Sequence, residues 1–129
     1  MKKFVVLLLL VSAVACLQQT VHQKTTFLDR YNFDEVWDAT IKAVYDIKFT
    51  VDSVDRESGF ISALRGQDVL QYAPPRLSIL ISDLDGKVFI DCKVLQQEQF
   101  FDLLGHGNRT IRNLMSALNT NLNQSHRGR

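Results

Sequence analysis

Cysteine is nearly absent: Cys16 and Cys92 are the only two in 129 residues. Two thiols make at most one bridge, so neither a disulfide framework nor a paired-cysteine zinc site holds this chain together. Proline is confined to the pair Pro74-Pro75, which leaves every other segment free to enter a helix or a strand. The three histidines, His22, His106 and His126, stand far apart. No Gly-x-Ser-x-Gly, His-Glu-x-x-His or glycine-rich phosphate loop is present. The acid pairs Asp52/Asp55 and Asp83/Asp85 fall in turn sequences, where Asp hydrogen-bonds its own backbone. Gly105-His106-Gly107 permits close backbone approach, and it reads equally well as the loop that starts a helix. The expectation is therefore no catalytic residue, no metal, no cofactor and no enzyme. Basic excess is lacking too: 15 lysines and arginines face 14 acids, too even a balance for a protein that coats nucleic acid. Acid is missing after Asp102, where Arg109, Arg112, Arg127 and Arg129 follow. No apolar run reaches the about 20 residues needed to span a bilayer, since the longest covers residues 4–11.

That run is the first thing present. Lys2 and Lys3 precede it, and Ser12-Ala13-Val14-Ala15-Cys16 follows it. A positive start, a short apolar middle and small residues before a cut describe an export signal. Its removal leaves 114 residues, one domain's worth, and turns the net charge of +1 into −1. Ala13-Val14-Ala15-Cys16 resembles the lipobox of bacterial lipoproteins, with Ala13 where leucine is commoner. The resemblance implies a signal over residues 1–15, acylation of Cys16, and attachment to the lipid bilayer through that residue. Leu17 is not Asp, and by resemblance to Gram-negative sorting this implies the outer membrane, facing the periplasm. Ala13-x-Ala15 also satisfies ordinary signal peptidase, in which case Cys16 stays free and a Cys16–Cys92 bridge is open to it.

Residues 17–26 are polar and without period, so residues 16–30 read as a lipidated flexible tether. Asn32 with Glu35 makes a capping box. Phe33, Val36, Trp37, Thr40, Ile41 and Val44 then recur at helical spacing, predicting a helix over residues 33–46. Trp37 reads as its core anchor, with stacking on a ligand as the alternative. Residues 48–54 and 60–64 predict a hairpin around Asp55-Arg56-Glu57-Ser58-Gly59, pairing Val54 with Phe60. Residues 77–83 and 88–95 predict a second hairpin, closed by Asp85-Gly86 as a type I′ turn. That turn sets Ile81 opposite Ile90, Ile79 opposite Cys92 and Leu77 opposite Val94 on one apolar face. Residues 96–107 leave helical turn and strand end both open. From Asn108, Ile111, Leu114, Met115, Leu118 and Leu122 predict a second helix lying on that apolar face, with a disordered tail over 124–129. The fold class expected is α+β: a helix, a four-stranded antiparallel sheet in two hairpins, and a C-terminal helix packed on the sheet, all within one domain spanning 31–123.

The same turn sends Leu80 and Phe89 to the opposite face, where Phe60, Leu64 and Val54 join them. Such a face is a candidate partner-binding patch, carried by Leu80, Phe89 and Phe60. The plainer alternative is that the 65–75 loop or the first helix covers it. Tyr31, Trp37, the stretch 47–55, Gly59-Phe60-Ile61-Ser62-Ala63 and the final Asn108-Arg109…Ile111…Leu118 resemble small bacterial lipoproteins with a helix-grip domain. The best-known member is a lipoprotein component of the outer-membrane β-barrel assembly machine, with two such domains where this chain has one. The resemblance implies a lipid-anchored, non-catalytic binding or scaffold module with an envelope protein as partner. The alternative is an exported soluble small-ligand carrier or enzyme inhibitor without lipid.

Overall fold

The computed structural model of the chain describes residues 19–66, 75–97 and 106–128. Residues 1–15, expected to be an export signal, Cys16 and segments 69–72 and 100–104 lie outside them. Seven elements follow in order: β1 (Gln19–Leu28), α1 (Phe33–Asp46), β2 (Phe49–Asp55), β3 (Phe60–Arg65), β4 (Arg76–Leu84), β5 (Lys87–Gln97) and α2 (His106–Arg127). The strands form one antiparallel sheet in the order β1-β5-β4-β3-β2. The α+β architecture read from the sequence is the one present, with two hairpins as four adjacent strands and the C-terminal helix packed on the sheet.

Helix α1 begins where its capping box dictates. The Glu35 N–H donates to Asn32 Oδ1 at 2.9 Å, and the Asn32 N–H donates to Glu35 Oε2 at 3.1 Å, so two N–H groups left over by the first turn are satisfied. The helix ends at Ile47, and Lys48 takes φ 66°, the left-handed turn that glycine usually supplies after a helix. Lys48→Gly should therefore raise stability by up to about 1 kcal/mol, since a non-glycine residue there costs about 1–2 kcal/mol and glycine's extra unfolded freedom returns part of it. A urea melt with unchanged slope and a higher midpoint is the expected reading.

The β4–β5 hairpin has the predicted register throughout, from Leu84 opposite Lys87 to Leu77 opposite Val94. Asp85 and Gly86 have φ of 55° and 75°, the two positive angles of a type I′ turn. Alternation then puts Leu77, Ile79, Ile81, Val88, Ile90, Cys92 and Val94 on one face, none more than 1 % exposed. Both helices cover that face, α1 over β2 and β4 and α2 over β5 and β1, and they pack against each other. Each helix has one apolar stripe to bury and this is the aliphatic face of the sheet.

Three expectations are corrected. Residues 19–28 of the expected tether 16–30 are strand β1, paired with β5 without a break from Gln19 opposite Gln97 to Leu28 opposite Val88. The domain starts before residue 31 and the sheet has a fifth strand. An edge strand is held by backbone hydrogen bonds to its neighbour, which need no apolar period in its own sequence. In the first hairpin Val54 pairs with Ile61, not Phe60, because the register shifts between Val51 and Ser53. One extra residue in β2 makes a bulge and turns the following side chains over. At the C-terminus, α2 runs to Arg127 through the tail expected over 124–129. Its polar last turns have partners on and beside α1: Asn121 donates to Asp46 Oδ2 at 3.0 Å, and Tyr31 donates to Asn123 Oδ1 at 3.3 Å. His126 lies edge-on to Tyr31 and 3.9 Å from Glu35 Oε1.

The β2–β3 turn is tied to itself. The Ser58 hydroxyl donates to Asp55 Oδ2 at 2.8 Å, and the N–H groups of Ser58 and Glu57 donate to Oδ1. These bonds, the hydroxyl first, hold the Asp55 carboxyl below its ordinary value of 3.8. The tie is therefore in place at neutral pH and is released only as acid protonates the carboxyl below that range.

Candidate binding face

The face of the sheet away from the helices carries the alternate residues of the same strands. Phe60 of β3 stands opposite Leu80 of β4, and Leu80 stands opposite Asp91 of β5. Phe89 stands opposite Ser82 on one side and Phe27 of β1 on the other. The three residues expected to form a patch are thus brought together: Leu80 and Phe60 side by side, Phe89 one step along from Leu80. Leu80 is 42 % exposed, while Phe60 and Phe89 are half-buried. Helix α1 is on the opposite side, so it does not cover them; residues 67–74 of the loop lie outside the described residues. Val54 does not belong to this face. The β2 bulge puts it on the helix side, at the sheet's edge, where it is 51 % exposed.

Size alternates along the face as well as along the strands. Next to the Phe60–Leu80 row runs a row of small polar residues, Ser53, Ser62 and Ser78, with Lys93 at its β5 end. Ser62 is only 3 % exposed although no helix covers it. Arg76 crosses over it, donating to Ser62 Oγ at 3.4 Å and lying 3.6 Å from Asp52 Oδ2. The serine row is a step of small side chains beside the Phe60–Leu80 ridge, and at Ser62 the Arg76 side chain covers it. The sequence contained the signal for it, in the spacing Phe60-x-Ser62 and Ser78-x-Leu80, but the two become one feature only when β3 and β4 are in register.

A polar groove of about 630 Å³ lies between the solvent sides of α1 and α2, lined by Asp34, Asp38, Lys42, Gln124 and neighbours. Lys42 donates across it to Gln124 Oε1 at 3.4 Å. No group of three or more His, Cys, Asp or Glu able to hold a metal occurs among the described residues. His126 caps the helix seam, and Cys92 is a buried free thiol at 1 % exposure facing the core. No helix among the described residues is long and apolar enough to cross a membrane.

No known protein-family model matches the chain. No curated protein sequence matches it either. Solved structures do. Ara h 8.0201 superposes with a TM-score of 0.56 at 9 % identity, over 85 % of this chain and all of that one. The Aha1 protein of Colwellia psychrerythraea, solved in solution as a dimer, gives 0.59 at 8 % identity over 77 % and 92 % of the two chains. A protein of Nitrosospira multiformis gives 0.59 at 10 %, over 84 % and 99 %. At such identities the likeness is one of fold, the helix-grip arrangement in which a long C-terminal helix lies across a curled antiparallel sheet.

Proposed function

We propose that this chain is a lipid-anchored lipoprotein of the bacterial envelope whose single helix-grip domain is a non-catalytic binding module. Its docking surface is the face of the sheet away from the two helices. The observation that carries this reading is the placement of both helices on one side, which leaves Leu80 at 42 % exposure beside Phe60 and Phe89. A small-ligand carrier would need room between helices and sheet. Among the described residues that space holds Trp37, Ile79, Ile90 and Leu114, none above 6 % exposed. The lipobox-like Ala13-Val14-Ala15-Cys16 supports the anchor, and Leu17 supports the outer membrane, with the domain facing the periplasm. The partner in this reading is an envelope protein, in keeping with the likeness to the individual helix-grip domains of the barrel-assembly lipoprotein.

Anchor and face are tested separately. Each buried CH₂ contributes about 0.8 kcal/mol to membrane attachment, so two or more acyl chains hold a protein durably. Cys16→Ser should move the protein from the membrane fraction to the soluble one, and the mature N-terminal peptide should weigh more than its residues by the acyl groups. Retention of the Cys16→Ser protein on membranes, or an unmodified thiol, refutes the anchor. For the face, a photoactivatable residue at position 80 should capture protein adducts in membranes, and one at Asp38 on the helix layer should not. Equal capture at both positions refutes the docking surface.

A further inference from the structure

Charge is sorted along the strands, and from this we infer that the end of the domain nearest Cys16 docks on the anionic phospholipid headgroups of the leaflet that holds the anchor. This deepens the lipoprotein reading above and rests on it. The pairing places the start of β1, the end of β5, the start of β4, the end of β3 and the start of β2 at one end of the sheet. Helix α1 finishes there, three residues before β2. Helix α2 starts there, because it runs antiparallel to α1: its Asn121 bonds Asp46 at the finish of α1, and its His126 lies by Glu35 at the start. Lys48, Arg65, Arg76, Arg109 and Arg112 are all exposed at this end, with Lys93 two residues further in. Among the described residues two acids stand with them, and both are engaged: Asp52 lies 3.6 Å from Arg76, and Asp46 accepts from Asn121. Of these cations only Arg76 has an ion-pair partner among the described residues. The opposite end, about 30 Å away along β1, reverses the sign. It carries Asp29, Asp34, Glu35 and Asp38 around the start of α1 and Asp55, Glu57, Asp83 and Asp85 at the two hairpin turns, against Arg30, Arg56, Lys87 and Arg127.

Distance keeps the two fields apart. The Debye length at physiological ionic strength is about 8 Å, so acids about 30 Å away do not neutralise the basic end where a surface meets it. Segments 67–74 and 98–105 lie outside the described residues. Counting their acids Asp68, Glu98 and Asp102 against the basic end still leaves it six cations to five acids, where the far end has four to eight. The place of the anchor selects the occupant. Three Cα steps separate Cys16 from Gln19, the first residue of β1, a reach of at most about 11 Å. A bilayer that holds Cys16 therefore meets this end of the domain first. Tyr45, in the last turn of α1 and 53 % exposed, adds a ring of the kind that settles at headgroup level. Each lysine or arginine close to an anionic bilayer strengthens attachment about five-fold. The strands then stand along the membrane normal, and the acidic turns point away from a surface that repels them. The sheet face away from the helices stands upright over the bilayer, so the anchor does not press it onto lipid. An acidic protein is the other occupant that this charge admits, and the test separates the two.

Vesicle co-sedimentation of the mature Cys16→Ser chain, residues 16–129, tests the surface without the anchor. At low salt this chain should bind vesicles that contain phosphatidylglycerol and leave vesicles of phosphatidylcholine alone unbound. Salt at 1 M, with a Debye length of about 3 Å, should release it. Arg109→Glu combined with Arg112→Glu should lower partition into the anionic vesicles at least about twenty-fold, two five-fold steps before repulsion is counted. Lys48→Glu combined with Arg65→Glu, at the same end, should do likewise. Arg30→Glu combined with Arg127→Glu makes the same charge change at the far end and should leave partition within about two-fold, since it acts from several Debye lengths away. All of these positions are exposed, and melting midpoints should show each variant folded. Equal partition into the two kinds of vesicle, no binding to either, or equal losses from the near and far pairs overturns the proposal. So does a photoactivatable residue at position 112 that captures protein and no phospholipid in membranes, which assigns the basic end to an acidic protein. The anchor is read separately at 1 M salt, where docking is screened and acylation alone retains the chain. Salt-washed membranes that keep the parent chain and release Cys16→Ser uphold the anchor whatever the vesicles show. Salt-washed membranes that keep both chains remove the anchor, and binding of Cys16→Ser to anionic vesicles alone then still upholds the docking.

Discussion

Gly59→Ala should be the most damaging single-methyl change in this domain, costing more than about 4 kcal/mol and bringing a protein of ordinary stability, about 5–15 kcal/mol, to the edge of unfolding. Two effects combine there. Gly59 has φ of 76°, a left-handed conformation that costs an L-residue about 1–2 kcal/mol. A Cβ at this position would also stand 2.0 Å from the carbonyl oxygen of Ile81. That oxygen cannot retreat, because Ile81 belongs to a central strand and its own N–H donates to Gly59 O at 2.9 Å. Relief would have to come from moving the β2–β3 turn away from β4, against Phe33 of α1, whose ring is 3.4 Å from the same point. Gly86→Ala is the control: its φ is 75°, and nothing lies within 4 Å of a Cβ built there. Urea melts should show Gly86→Ala losing only the about 1–2 kcal/mol of conformational strain. Equal losses at the two glycines would mean that the strand contact is not the one described.

Trp37→Ala should cost about 3–5 kcal/mol, the range for truncating a buried aromatic side chain. Trp37 is 6 % exposed. Phe33 stacks on it with centroids 5.9 Å apart, and the Arg56 guanidinium lies 5.8 Å from its ring centroid. Arg56 is held in place by Asp34 at 2.7 Å. The indole is therefore closed in by its own helix and by the β2–β3 turn, which leaves no open ring face for a ligand to stack upon. Arg56→Ala removes only an exposed cation and its ion pair, and should lower stability by about 1 kcal/mol or less. Gly59 and Trp37 share Phe33 as a neighbour, so combining Gly59→Ala with Trp37→Ala should destabilise by less than the two losses added. Full additivity would show that turn and helix are energetically separate.

Several features are legible in the chain because they are set by neighbours in sequence. The first helix begins and ends where Asn32, Glu35 and its apolar period place it. The β4–β5 register follows from Asp85-Gly86, whose two positive φ angles admit a two-residue turn, and that register sorts Leu80 and Phe89 from Ile79 and Ile90. The candidate patch is readable in outline for this reason. Strand alternation alone assigns Val54 to it wrongly, since a bulge at β2 leaves no mark in a strand of ordinary composition and reverses every residue after it. The row of small residues at Ser62 and Ser78 does not stand out in the chain, because a small residue has meaning on a sheet face only through what stands across from it.

What the sequence by itself determined is therefore local: the helix cap, the type I′ turn and the alternation that makes one sheet face aliphatic. Tertiary structure decided the rest. Strand β1, written in polar residues, exists because β5 offers it a row of unpaired N–H and C=O groups, and backbone pairing is blind to side-chain pattern. The last turns of α2 stay helical because Tyr31, Glu35, Lys42 and Asp46 stand beside them to bond Asn123, His126, Gln124 and Asn121. The choice of a single sheet face by both helices left the other face without a helix, and that choice depends on the summed apolar area of strands far apart in the chain, a quantity no local window contains.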